Sequence, residues 1–127
     1  MKFTRQFDQM DCGPACVRML ADAHGRQYPI SYLRSLAHLS REGVSVAGIR
    51  DALTQIGMKS ASFEMTLEQL RNDCPLPAIL HWEQNHFVVL YDVRQSKWKG
   101  EWKYAVANPA YGKYTFSEKE FSRYWLN

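Results

Sequence analysis

The feature that most constrains this chain is a change of hydrophobic period at Pro75. Before it, apolar residues recur at helical spacing; after it, they cluster or alternate as in strands, bounded by turn formers. Gly13-Pro14 followed by Ala15, Val17, Met19, Leu20 and Ala23 predicts a helix opening near Cys12 and closing at Gly25, since proline suits the first helical turn. Ser31 is expected to cap a second helix carrying Tyr32, Leu33, Leu36 and Leu39. Ser45 is expected to cap a third, carrying Val46, Ile49, Leu53 and Ile56 and ending at Gly57. Thr66-Leu67-Glu68-Gln69 is a capping-box pattern that opens a short fourth helix stopping before Pro75.

Beyond Pro75, Ala78 to Trp82, His86 to Val93 and Trp102 to Ala107 are rich in β-branched and aromatic residues, and read as strands. The connections Glu83-Gln84-Asn85 and Gln95 to Gly100 are far too short for parallel crossovers, so the strands are expected to pair as antiparallel hairpins. A short strand around Lys113 to Phe116 and a helix capped by Ser117, carrying Phe121 and Trp125, complete the pattern. Helices first and sheet second is an α+β class. With 127 residues, 46% of them hydrophobic, the chain has apolar mass for one core, so residues 1–127 are expected to form a single domain.

Composition also limits function. A net charge of +3, dispersed along the chain, does not indicate a nucleic-acid partner. The longest apolar runs, such as Phe87 to Tyr91, are far shorter than the roughly 20 residues a membrane-spanning helix needs. The N-terminus lacks the apolar stretch of a secretory signal. Three cysteines, an odd number, argue against a disulfide framework and for a reducing setting with free thiols.

Cys12 is the most informative residue. At a helix start, outward-pointing amides and the helix dipole favour a thiolate, and hence a nucleophile. The competing reading is that of a buried cysteine filling space, and position alone leaves the two about even. Cys16 and Cys74 lack that electrostatic help and read as packing residues. Cys12 and Cys16 could begin a metal site, but no second Cys/His pair with zinc-like spacing follows, so no metal is expected.

A nucleophilic cysteine needs a base. His24 is twelve residues along the same helix, on the order of 18 Å away, and suits a helix C-terminus instead. His38 reads as a rim histidine of the second helix. His81 and His86 flank the first hairpin turn and remain open alternatives, each with a plain role as a hydrogen-bonded strand residue. Asn108, held before Pro109, could orient an imidazole, although Asn-Pro is also a common turn starter. Gln6 could offer a side-chain amide to an oxyanion. Asp11 is expected to accept hydrogen bonds from amides at the helix start. Lys97-Trp98-Lys99-Gly100-Glu101-Trp102-Lys103 is basic and aromatic; an exposed hairpin whose Trp side chains pack across strands is the favoured reading.

Three segments in order, Gln6 to Cys16 (Gln6-Phe7-Asp8-Gln9-Met10-Asp11-Cys12-Gly13-Pro14-Ala15-Cys16), Leu80 to Leu90 and Val106 to Gly112, together closely resemble the bacteriocin-processing cysteine peptidase family. This family is the papain-like domain at the N-terminus of peptidase-containing ABC transporters, and the resemblance extends through Gly43-Val44-Ser45. It implies a papain-like fold, no cofactor, and cleavage of a precursor peptide after a double-glycine leader before export. It also implies work at the cytoplasmic side of a bacterial inner membrane, with this chain itself soluble. The implied partners are the leader-bearing precursor, bound as an amphipathic helix on an apolar surface groove, and the transmembrane and ATP-binding domains of a transporter. Carried over, Cys12 corresponds to the nucleophile, His86 to the general base and Gln6 to the oxyanion donor. Asn108 stands where the family usually has Asp. The alternative is a peptidase-like module of weak or no catalytic activity that recruits a transport substrate. Retention of Cys12, His86 and Gln6 argues against it.

Overall fold

A computed structural model describes residues 1–37, 44–83 and 85–125. His38 and Leu39, expected on the second helix, and Gly43 and Gln84 lie outside the described residues. Four helices precede the sheet: α1 (Cys12–Ala23), α2 (Ile30–Leu36), α3 (Val46–Gln55) and α4 (Leu67–Asp73). They are followed by β1 (Ala78–Trp82), β2 (His86–Gln95), β3 (Trp102–Asn108), β4 (Gly112–Ser117) and α5 (Glu118–Tyr124).

Local chemistry sets most of these boundaries. Ser45 Oγ accepts the Gly48 N–H at 3.1 Å and starts α3. Reciprocal capping boxes start α4 and α5. Thr66 Oγ1 accepts from the Gln69 N–H at 3.2 Å while Gln69 Oε1 accepts from Thr66 at 2.9 Å; Ser117 and Glu120 do the same at 3.2 and 2.9 Å. The second helix departs from expectation. It begins at Ile30 with Pro29 as its cap, so Ser31 lies inside it. The proline ring already fixes φ near the helical value, and the Pro29 carbonyl accepts from the N–H groups of Tyr32 and Leu33. Gly48 lets α3 approach the end of α2, since a Cβ there would lie 2.3 Å from the Ala37 carbonyl oxygen.

The sheet is antiparallel in the order β1-β2-β3-β4. Between Leu90 and Asp92 the register slips, two steps along β2 matching one along β3. The extra residue reverses the alternation, so Val88, Leu90 and Val93 all reach the same apolar cluster. Both sheet faces are covered. Phe87, Val89 and Ala107 pack with α1, α2 and α3, whereas Leu80, Trp82, Val88, Leu90, Tyr104 and Val106 pack with Leu70 of α4 and Phe121 of α5. The architecture is the α+β arrangement expected from the period change.

Two details of the aromatic residues differ from the sequence reading. Trp125 lies just past α5 and bridges to Trp82. Trp98 is 96% exposed, and it does not pack across the hairpin. The turn closed by the Ser96 N–H on the Glu101 carbonyl (2.7 Å) holds Trp98 beyond the ladder. Trp102, opposite Gln95, lies under the Arg71 guanidinium at 4.9 Å.

Phe121 anchors the second cluster: it is fully buried, stacked on Tyr104 at 4.3 Å between centroids and tilted against Trp82 at 5.5 Å. Phe121→Ala is expected to cost about 3–5 kcal/mol, read as a lower urea midpoint with an unchanged slope. A loss below about 1 kcal/mol would mean that α5 is not part of the cooperative core.

Candidate active site

The sheet register brings two of the expected residues together. Val89 pairs with Ala107, so Asn108 ends β3 beside the start of β2, where His86 stands. His86 Nε2 and Asn108 Oδ1 are 2.7 Å apart. Asn108 is buried, and its Oδ1 also accepts the Ala110 N–H at 3.0 Å. That second bond fixes the amide orientation, because a backbone N–H needs an oxygen there. An oxygen facing the ring in turn requires the proton on Nε2. The neutral imidazole therefore keeps its lone pair on Nδ1, the nitrogen a general base must offer.

Cys12 comes from the other side. It opens α1, is 5% exposed, and packs in the same core cluster as Phe87, the residue after His86, whose backbone N–H lies close enough to the sulfur to favour the thiolate. The thiol is thus held against the strand that carries the imidazole. Its acidity reverses the sequence expectation. Burial pushes the Cys12 thiol above its ordinary range and outweighs the N–H groups of Phe87, Gly13 and Cys12, which lower it; the Asp11 carboxylate adds to the rise. The helix start acts in the expected direction, but desolvation is larger. Cys16 is fully buried and raised further by the same cause, and Cys74 is also raised by burial.

Gln6 lies beside Asn108 through the backbone. Its N–H donates to the Pro109 carbonyl at 2.9 Å, tying the segment before α1 to the turn after β3. One N–H of its side chain donates to the Asp8 carbonyl at 2.9 Å, leaving a second N–H for another acceptor. Its Oε1 is buried without a hydrogen-bond partner among the described residues.

Asp11 stands at the N-cap of α1, but its side chain accepts no N–H from the helix start. Fully buried, its carboxylate accepts the Asp8 N–H at 3.3 Å and forms an ion pair with Arg34 Nε of α2 at 2.8 Å, with the N–H not aligned for a hydrogen bond. Arg34 also reaches Asp8 at 3.7 Å. The other two described histidines make contacts of a different kind. His24 Nδ1 donates to the Leu20 carbonyl at 2.9 Å, and His81 stacks on Phe87 with centroids 5.4 Å apart.

Arg34 and the Phe87 N–H are the groups that sequence reasoning missed. A backbone amide leaves no trace in side-chain identity. The acidic pair Asp8 and Asp11 ahead of a buried helix start was the available signal that a cation was needed.

Beside the site runs an apolar groove of about 770 Å³, lined by Val46, Ile49 and Leu53 of α3, by Phe63, and by Ile79 and Phe87 of the sheet. Phe87 links the groove to Cys12.

Comparison with known proteins bears on the family and the fold. The model of the Peptidase C39 family matches residues 1–127. The chain is 35% identical over 120 residues to the colicin V secretion/processing ATP-binding protein of Escherichia coli, covering 94% of this chain and 16% of that one. It is 32% identical over 130 residues to the lactococcin-G-processing and transport ATP-binding protein of Lactococcus lactis subsp. lactis, covering 98% and 18%. The chain thus spans less than a fifth of the length of these relatives. Among solved structures, a double glycine motif protease from an AMS/PCAT transporter, in complex with the leader peptide, superimposes with a TM-score of 0.90 at 25% identity. That match covers 98% of this chain and 85% of the other. The peptidase domain of Streptococcus ComA, a bi-functional ABC transporter involved in quorum sensing, gives 0.86 at 27% identity, covering 98% and 92%. The fold is therefore papain-like. With its full length matched by the family model, and a transporter relative more than one third identical over nearly all of it, the chain belongs to the Peptidase C39 family.

Proposed function

We propose that this chain is a cysteine endopeptidase domain that removes double-glycine leaders from secreted peptide precursors, working with an ABC transporter at the cytoplasmic side of a bacterial membrane. The observation that carries the reading is the His86–Asn108 pair at 2.7 Å on the strand whose next residue, Phe87, packs in one core cluster with Cys12. The processing roles in the names of these relatives support the substrate class, and the groove beside Phe87 is an apolar bed suited to an amphipathic leader helix. No helix among the described residues is long and apolar enough to cross a membrane, so membrane-spanning domains would come from elsewhere.

In this mechanism the resting thiol is protonated, and His86 Nδ1 takes its proton as sulfur attacks the carbonyl of the second glycine. The Cys12 N–H and the free side-chain N–H of Gln6 stabilise the oxyanion. His86 then gives the proton to the leaving amine, and water, deprotonated by the same nitrogen, releases the leader from the thioester. Asn108 keeps the ring in the working tautomer but adds no charge to stabilise the imidazolium.

The test is incubation of the chain with a precursor peptide that carries a double-glycine leader, followed by mass spectrometry. Cleavage after the second glycine is expected, and Cys12→Ala should show none. Saturable precursor binding by the parent without cleavage would favour the recruiting module. The raised Cys12 thiol and Asn in place of Asp are the features that keep that second reading in play.

A further inference from the structure

Two of the most exposed aromatic side chains, Phe7 at 85% and Tyr111 at 71%, belong to segments joined next to the His86–Asn108 pair. The Gln6 N–H donates to Pro109 and Arg5 Nη1 to the Ala110 carbonyl at 3.0 Å, so the stretch before α1 and the β3–β4 turn are held side by side. The turn is closed by the Tyr111 N–H on the Asn108 carbonyl at 3.0 Å, and the Tyr114 hydroxyl donates to the Tyr111 carbonyl at 3.3 Å. Neither aromatic contributes to either core cluster, and their backbones are fixed. Such side chains expose apolar area at little ordering cost to a partner.

Sheet order gives this pair of aromatics a direction. The groove borders β1, His86 opens β2, Asn108 ends β3, and Tyr111 lies in the connection to β4. A peptide seated in the groove and crossing Cys12 must continue over β2 and β3 toward that turn. The chemistry requires the same polarity. The acyl part stays on Cys12 while the leaving amine is protonated by His86, whose ring partner Asn108 begins the turn.

We infer that Phe7 and Tyr111 form the binding surface for the first residues after the scissile bond, and that this surface favours apolar residues there. The neighbouring Arg5 helps hold the turn in place through its bond to the Ala110 carbonyl. The inference rests on the peptidase reading above and deepens it from leader recognition to the cargo side.

The experiment uses the Cys12→Ala chain and double-glycine precursors carrying a photo-crosslinking phenylalanine analogue. In one precursor it replaces an apolar leader residue, and in the other it is the second residue after Gly-Gly. The leader probe is expected to label residues of α3 or 59–65, and the cargo probe residues 5–8 or 109–114. In parallel, the Phe7→Ala/Tyr111→Ala double variant is expected to cleave precursors with apolar cargo starts about tenfold less efficiently, with unchanged affinity for a free leader ending in Gly-Gly. Leader labelling in the groove with cargo labelling elsewhere, or a double variant that cleaves as the parent does, overturns this inference and leaves the peptidase standing. Absence of specific labelling by the cargo probe likewise overturns the inference alone, whereas a parent chain that cleaves no double-glycine precursor overturns the two together.

Discussion

His86→Ala is expected to lower kcat/KM for precursor cleavage by roughly 10⁴-fold, about 5 kcal/mol of transition-state stabilisation. The size follows from the state of the nucleophile. A thiol already ionised would lose only part of its reactivity without a base, but burial and Asp11 hold the Cys12 proton in place, so a proton acceptor is needed in every turnover. The role of Asn108 can be separated from this by two variants. Asn108→Ala frees the ring to rotate and is expected to cost roughly 100-fold, the scale of a modest misplacement of a catalytic group. Asn108→Asp keeps an oxygen for both His86 Nε2 and the Ala110 N–H and adds a charge that stabilises the imidazolium, so its turnover should equal or exceed that of the parent. Single-turnover kinetics with mass-spectrometric detection would separate these cases. Near-parental rates for His86→Ala would move the base elsewhere, with His81 on the adjacent strand the next residue to test. Abolished activity in Asn108→Asp would mean that the amide N–H groups have a task of their own.

Much of the fold was legible because its determinants are local. Ser45, Thr66 with Gln69, and Ser117 start helices through bonds to backbone three residues on, and the strands are marked by β-branched and aromatic runs between short turns. The start of α2 was misread because serine was weighed above Pro29, whose fixed φ sets the helix entry without any side-chain bond. The slip in β2 after Leu90 has no sequence mark, since it is decided by pairing with β3. In the candidate site, Cys12 and Asn108 were singled out by their places at the ends of elements, whereas His86 was separated from His81 only by the family resemblance. The acidity of Cys12 could not be read the same way. Its sign depends on a balance between helix-start amides and burial, and burial is a property of the packed molecule. Arg34 was invisible for a related reason: its partner lies just before another helix, 23 positions earlier in the chain.

That ion pair supports the last prediction, which uses two variants with the same structural effect and opposite chemical effects. Asp11 is fully buried directly before the nucleophile, and Arg34, about one third exposed, brings it a counter-charge at 2.8 Å. Arg34→Gln leaves the carboxylate without that charge. Breaking a buried pair from one side costs about 3 kcal/mol, here about 10 °C in Tm. Asp11→Asn removes the anion from the same contact and is also expected to destabilise, since Arg34 and the Asp8 N–H lose their acceptor. If the pair were only a clamp between α1 and α2, both variants would change Cys12 in the same direction. Electrostatics demands otherwise, because the Asp11 charge is one of the causes that raise the thiol. Rates of Cys12 alkylation by iodoacetamide, followed across pH below each variant's unfolding temperature, should shift to higher pH in Arg34→Gln and to lower pH in Asp11→Asn. At neutral pH this becomes slower labelling in the first variant and faster labelling in the second. Shifts of the same sign would reduce the pair to a structural clamp. Opposite signs would mean that α2, through Arg34, helps set how readily the sulfur gives up its proton to His86.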